Sequence, residues 1–193
     1  DDQIYPLDSL KDTVRLGAGL GSNNTLDQDT CNRALASLAR FGERLRGLPP
    51  GAVRVVGTNT FRVAKNAQVF LPLAEAALGF PIEIIAGREE ARLIYLGVSH
   101  GMPPSDDKRL VVDIGGGSTE FIIGTGLQPQ RMESLYMGCV SYSLRFFPGG
   151  KLTKSNFKQA ETAARLELQT IARDFSAGHW KEAVGSSGTA RAL

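Results

Sequence analysis

A mixed α/β fold, with helices packed on sheets, is predicted by three observations. Through the first hundred residues, short apolar runs alternate with stretches whose apolar residues recur at helical spacing, the signature of strand–helix–strand units. After a proline-bearing polar segment the pattern changes to three consecutive strand-like runs built around a triple glycine. A chain of 193 residues with 42% hydrophobic content can also bury a substantial core, in one large domain or two small ones.

The elements run in this order. Leu10–Leu16 reads as extended, and Gly17–Thr25 as a Gly/Asn-rich loop. Asp27–Leu48 carries Leu35, Leu38, Ala39, Leu45 and Leu48 on one helical face, with Thr25 or Asp27 as its cap. Val53–Val56 is a short buried strand between Pro49-Pro50-Gly51 and Gly57-Thr58, and a helix is expected over 61–78. Ile82–Ala86 is the next strand, turned by Gly87 into a helix over 89–99. This repeated strand–helix order predicts a parallel sheet. The segment 101–108 (GMPPSDDK) is the expected hinge between two domains. Beyond it, Leu110–Ile114, Glu120–Ile123 and Gln130–Tyr136 form a meander. Thr153 caps a helix over 156–175, Trp180–Val184 is a strand, and Gly185-Ser186-Ser187-Gly188-Thr189 leads to a helix beginning at Ala190. That order suggests one half of an actin-like fold.

The stretch KRLVVDIGGGSTEFIIG (108–124) concentrates the chemistry. Gly115, Gly116 and Gly117 strip one side of a turn of every Cβ, so backbone N–H groups can close on an oxyanion while Ser118 and Thr119 add hydroxyls. Asp113 and Glu120 flank the turn with hard carboxylate oxygens of the kind that suit Mg²⁺. A plain hairpin needs fewer glycines and gains nothing from a carboxylate at each edge, so the phosphate-cradle reading is preferred.

Twenty-two basic and twenty acidic residues give a net charge of +2, which argues against nucleic acid held by bulk charge. No apolar run has membrane-spanning length and no signal peptide opens the chain, so a soluble, cytoplasmic protein without membrane insertion is expected. Cys31 and Cys139 are far apart, without metal-ligand spacing, and are expected to be buried free thiols. His100 and His179 are isolated and receive no role. Lys65, Lys151, Lys154 and Lys158 read as scattered surface charge.

Five segments together, GTNTFRVAKN (57–66), IEIIAGREEARLIYLGV (82–98), VVDIGGGSTE (111–120), MGCVSYSLRFFPGG (137–150) and GSSGTARAL (185–193), closely resemble the exopolyphosphatase/guanosine pentaphosphate phosphohydrolase family. Exopolyphosphatase is the nearer match. The resemblance implies the ribonuclease-H-like, actin-like fold shared with acetate kinase, sugar kinases and Hsp70. It also implies a fragment. Residues 1–100 would be most of the N-terminal domain, lacking its first strands and first phosphate loop, and 101–108 the hinge. Residues 109–193 would be the first part of the second domain. GLGSNN at 19–24 looks like the missing loop but matches a later position, and no phosphate role is assigned to it.

Carried over, the resemblance assigns Glu90 as the carboxylate that activates water, while Glu89 is left as helix-start charge. Asp113 and Glu120 become Mg²⁺ ligands, and Arg62, Gly115, Gly116, Gly117, Ser118 and Thr119 bind phosphate. Ser186, Ser187, Gly188 and Thr189 form a second donor-rich loop at a helix start. The resemblance implies inorganic polyphosphate or, alternatively, guanosine pentaphosphate as the substrate. A non-catalytic nucleotide- or polyphosphate-binding module and a sugar or acetate kinase are the remaining readings. A homodimer is expected of the full-length protein.

Overall fold

The computed structural model describes residues 8–21 and 23–193; the first residues of the expected N-terminal domain, 1–7, and Ser22 of the 17–25 loop lie outside the described residues. The chain divides into two compact units, one ending at Ala86 and the other running from Gly87 to Leu193. The sequence set the boundary at 101–108. The structure instead groups the helix 87–100 with the second unit, because that helix buries its apolar stripe on the sheet formed after residue 108.

In the first unit the expected strand over 10–16 does not form. Arg15 adopts a left-handed backbone (φ 55°) that ends the extended run, and a 3₁₀ turn comes next at Leu16–Gly19. Helix α1 (Gln28–Leu45) is capped by Asp27, whose carboxylate accepts from the Thr30 N–H at 2.7 Å. Strand β1 (Val55–Gly57) pairs in parallel with β2 (Ile82–Ile84).

The single helix expected over 61–78 is two, α2 (Asn59–Val63) and α3 (Ala67–Leu78). The cause is Asn66, whose side-chain amide donates to the Leu26 carbonyl and accepts from the Leu26 N–H, both at 3.0 Å. This pair of bonds imitates a strand pairing and holds the break open. Leu26, Cys31, Ala34, Ala67, Phe70 and Ala74 form the core of this unit.

The second unit is a four-stranded sheet of order β5-β4-β3-β6, made of β3 (Arg109–Ile114), β4 (Thr119–Thr125), β5 (Gln128–Leu135) and β6 (Glu182–Ser186). β3–β4 and β4–β5 are antiparallel, and β3–β6 is parallel. One face carries α4 (Gly87–His100), whose Ala91 and Tyr95 pack with Val111 and Ile122. The opposite face meets α5 (Cys139–Phe146) and α6 (Lys154–Gln169) across an apolar cavity of about 300 Å³. Thr153 caps α6 by accepting from the Asn156 N–H at 3.1 Å. The short helix α7 (Ser187–Ala192) closes the chain.

Cys31 is buried, but Cys139 is exposed, contrary to expectation, because it opens α5 at the surface. Among the described residues no helix is long and apolar enough to cross a membrane.

At the end of the sheet remote from the glycine turn, Arg109 is 7% exposed and its Nε donates to Glu182 at 2.7 Å across the β3–β6 pair. Glu182→Ala is expected to destabilise the protein by about 1–2 kcal/mol in urea denaturation. That is less than the ~3–5 kcal/mol of a fully buried broken pair, because Glu182 is half in water.

Candidate active site

The sheet register assembles the site. Asp113 stands directly opposite Glu120 in the β3–β4 hairpin, Glu120 opposite Ser134 on β5, and Asp113 beside Ser186 on β6. Residues in register point to the same face, so Ser134, Glu120, Asp113 and Ser186 form one polar row across four strands. The row lies two residues beyond Val111 and Ile122, on the face covered by α4. Two carboxylates directly opposed in an antiparallel pair repel each other, an arrangement a purely structural sheet avoids.

Helix α4 supplies the third carboxylate. Ala91, Tyr95, Ile94 and Val98 make its sheet-facing stripe, and Glu90 stands one turn before Ile94 on that stripe. Glu89 is held by both prongs of Arg92, at 2.7 Å each. The neighbouring glutamates are therefore placed differently: Glu89 in an ion pair on its own helix, Glu90 acting electrostatically on Glu120.

Glu120 is the buried member, at 1% exposure. Burial pushes its carboxyl above the ordinary value, and the charges of Glu90 and Asp113 push in the same direction. Two hydroxyls oppose the shift: Ser134 Oγ donates to Glu120 Oε1 at 2.7 Å, and Ser118 also bonds to this carboxylate. Ser134 is a site residue that the sequence reading missed. The β4–β5 turn pairs Thr125 with Gln128, and that register carried on unbroken would set Glu133 opposite Glu120. A bulge between Ile123 and Gly124 shifts the pairing by one residue and brings Ser134 there instead.

The glycine turn departs from expectation in two respects. None of Gly115, Gly116 and Gly117 has a positive φ, and a Cβ at Gly116 would meet only Val140 at 3.5 Å. The tight glycine is Gly138, where a Cβ would fall 2.5 Å from the Gly116 carbonyl and the Gly117 nitrogen. Thr119, assigned to phosphate, points its hydroxyl to the opposite face and donates it to the Met137 carbonyl, so that side chain anchors the entry to α5. In the second loop Ser186 belongs to the polar row. Ser187 has a left-handed backbone (φ 74°), unusual for a residue with a Cβ, and its Oγ donates to the Ile114 carbonyl at 2.8 Å. Gly188 and Thr189 lie within α7. Arg62 belongs to the first unit, on α2, with its guanidinium donating to the Ile85 carbonyl at 2.8 Å.

Among the described residues no three His, Cys, Asp or Glu side chains form a group able to hold a metal by themselves. Mg²⁺ does not ask for such a cage: it is held by one or two carboxylates together with waters and substrate phosphate oxygens. The hard oxygens of Asp113 and Glu120, and the destabilised charge of buried Glu120, fit a cation of this kind.

Residues 1–193 match the Ppx/GppA phosphatase family over the whole length. The chain belongs to that family. Three solved structures similar to it carry the same fold. An exopolyphosphatase-like protein is 29% identical with a TM-score of 0.84, over 92% of this chain and 56% of its own. An exopolyphosphatase from Cytophaga hutchinsonii is 27% identical with a TM-score of 0.79, over 90% and 56%. The Aquifex aeolicus PPX-GPPA enzyme is 28% identical with a TM-score of 0.68, over 91% and 57%. The chain thus spans little more than half the length of these Ppx/GppA relatives, and it shares with them the mixed α/β fold of sheets and flanking helices that its sequence predicts.

Proposed function

We propose that this chain carries the reaction centre of a Mg²⁺-dependent phosphohydrolase that releases terminal orthophosphate from inorganic polyphosphate. The observation that carries the reading is the polar row Ser134–Glu120–Asp113–Ser186, with Glu90 of α4 acting on it and the glycine turn at its end. Phosphoryl transfer asks a protein mainly for positioning and charge stabilisation, and this row with its turn supplies both. In the proposed step Glu90 takes a proton from water as the water oxygen bonds to the terminal phosphorus. The bond from that phosphorus to the bridging oxygen breaks, and the shortened chain leaves with the electron pair. Asp113 and Glu120 would hold Mg²⁺, whose chemistry is to neutralise charge on the phosphate oxygens. Ser118 and Ser134 fix the orientation of Glu120, while backbone amides of Gly116 and Gly117 receive phosphate oxygens. Arg62, Ser186, Ser187, Gly188 and Thr189 are further phosphate contacts on the family pattern alone.

The test is Mg²⁺-dependent orthophosphate release from long-chain polyphosphate, with guanosine pentaphosphate in parallel, by the protein at its full natural length. Release from polyphosphate supports the reading, and release from guanosine pentaphosphate alone moves the substrate. Silence on both leaves a binding module. Asp113→Ala is expected to raise the Mg²⁺ concentration needed for half-maximal release by roughly tenfold or more; an unchanged Mg²⁺ titration removes Asp113 from the metal site.

A further inference from the structure

Helix α5 does not end in water at its N-terminus. The first N–H groups of a helix have no partner within it. Here three of them are taken by the glycine turn: Cys139 N–H donates to the Gly115 carbonyl at 2.9 Å, while Val140 and Ser141 N–H both donate to the Gly116 carbonyl, at 2.9 and 3.0 Å. A second contact holds the two pieces together, since the Gly138 backbone lies so close to Gly116 and Gly117 that no Cβ fits between them. The Thr119 hydroxyl ties Met137, at the entry to α5, to the far side of the turn.

These contacts set the direction of the turn's amides. In a trans peptide the C=O and the N–H of the next residue point in opposite directions. The carbonyls of Gly115 and Gly116 are drawn into the start of α5, so the N–H groups of Gly116 and Gly117 point away from that helix. Gly115 N–H is used within the turn, on the Ser118 carbonyl at 2.9 Å. We infer that the N-terminus of α5 is a positioning brace for phosphate binding: it aims the Gly116 and Gly117 amides at the oxyanion and polarises both peptide units with the positive end of its dipole. Gly138, Cys139, Val140 and Ser141 act through the turn, without touching phosphate. This rests on the phosphohydrolase reading for its ligand.

Cys139→Pro tests the inference. Cys139 is the first residue of α5, where proline is well accommodated, and Gly138 before it is extended (φ −139°, ψ 159°), as a residue preceding proline prefers. The helix is kept and one N–H to the turn is lost. In the full-length protein, tripolyphosphate affinity measured by calorimetry with Mg²⁺ is expected to fall on the order of ten- to a hundredfold, with far-UV circular dichroism retained. The ¹H–¹⁵N resonances of Gly116 and Gly117 are expected to shift. Cys139→Ala, which keeps the N–H, separates loss of the thiol from loss of the amide, and the affinity is expected to track the amide. Gly138→Ala, if folded, should weaken binding in the same direction by displacing the turn. A folded Cys139→Pro protein with wild-type affinity and unmoved Gly116 and Gly117 resonances overturns the brace. If the wild-type protein binds no tripolyphosphate, the phosphohydrolase reading fails instead, and the two glycine resonances still decide whether α5 controls the turn.

Discussion

Glu90→Gln is expected to lower orthophosphate release by roughly 10²–10⁴-fold, the usual contribution of a positioned general base, while polyphosphate binding survives. The substitution keeps the shape of the side chain, so the stripe of Ala91, Ile94 and Tyr95 on Val111 and Ile122 has no reason to move. What is lost is the proton acceptor. The alternative role for an acidic residue in the first turn of a helix is to complement the dipole, and that role is open to Glu89, locked by Arg92 on the same turn. Glu89→Gln therefore serves as the contrast: it removes the same charge from the same helix end and should leave turnover within a few-fold. Removal of the Glu90 charge also relieves one of the repulsions acting on Glu120. The same negative charge attracts a cation held at Glu120, so Mg²⁺ affinity in Glu90→Gln should weaken only modestly, by far less than turnover falls. Steady-state release assays beside calorimetric titration of polyphosphate and Mg²⁺ separate these effects. Turnover within threefold of the wild type would remove Glu90 from the chemistry.

Local chemistry accounts for what the sequence revealed. Apolar periodicity defines α1, α4 and α6, with a side-chain N-cap on α1 and α6, and the seven-residue step from Asp113 to Glu120 around a glycine turn is enough to place two carboxylates at the mouth of one hairpin. What stayed hidden depends on partners distant in the chain. The break between α2 and α3 is made by Asn66 reaching Leu26, forty residues away. Ser134 enters the row only through a bulge that no composition signal announces. Helix α5 is rich in β-branched and aromatic residues (Val140, Tyr142, Phe146), and it is capped by carbonyls of the glycine turn where a Ser, Thr or Asp side chain would have marked its start. The same contact explains why the triple glycine misled as to its cause. The spatial demand for glycine is greater at Gly138, twenty-one residues after Gly117, than at Gly115 or Gly116, because two backbones touch there. The unit boundary at Ala86/Gly87 was hidden for the same reason, since the destination of the α4 stripe is set by a sheet that comes after it in the chain.

Glu120→Gln is expected to abolish metal-dependent turnover and, without metal, to make the protein more stable at neutral pH. The folded protein holds the Glu120 proton more tightly than the unfolded chain does, because burial, Glu90 and Asp113 all disfavour the charged form. Stability attached to that proton is fully present below the ordinary glutamate value, near pH 4.3, and is lost as pH rises through the higher folded-state value. Glutamine carries no such charge. It can still accept from Ser134 Oγ, and the Ser118 hydroxyl can turn to meet its amide. Metal-free Glu120→Gln should therefore match the wild type near pH 4 and exceed it at pH 7–8 by about 0.5–2 kcal/mol, the usual gain from a single stabilising substitution. Mg²⁺ reverses the order. A ligand stabilises the folded state in proportion to its occupancy, so saturating Mg²⁺ should raise the wild-type melting temperature and leave Glu120→Gln almost unmoved. Thermal denaturation from pH 4 to 8, with and without Mg²⁺, reads both arms. A variant less stable than the wild type at neutral pH without metal would mean that Glu120 supports the sheet through its hydrogen bonds to Ser134 and Ser118; the crossed pattern would mean that the sheet holds a charge whose partner arrives with the metal.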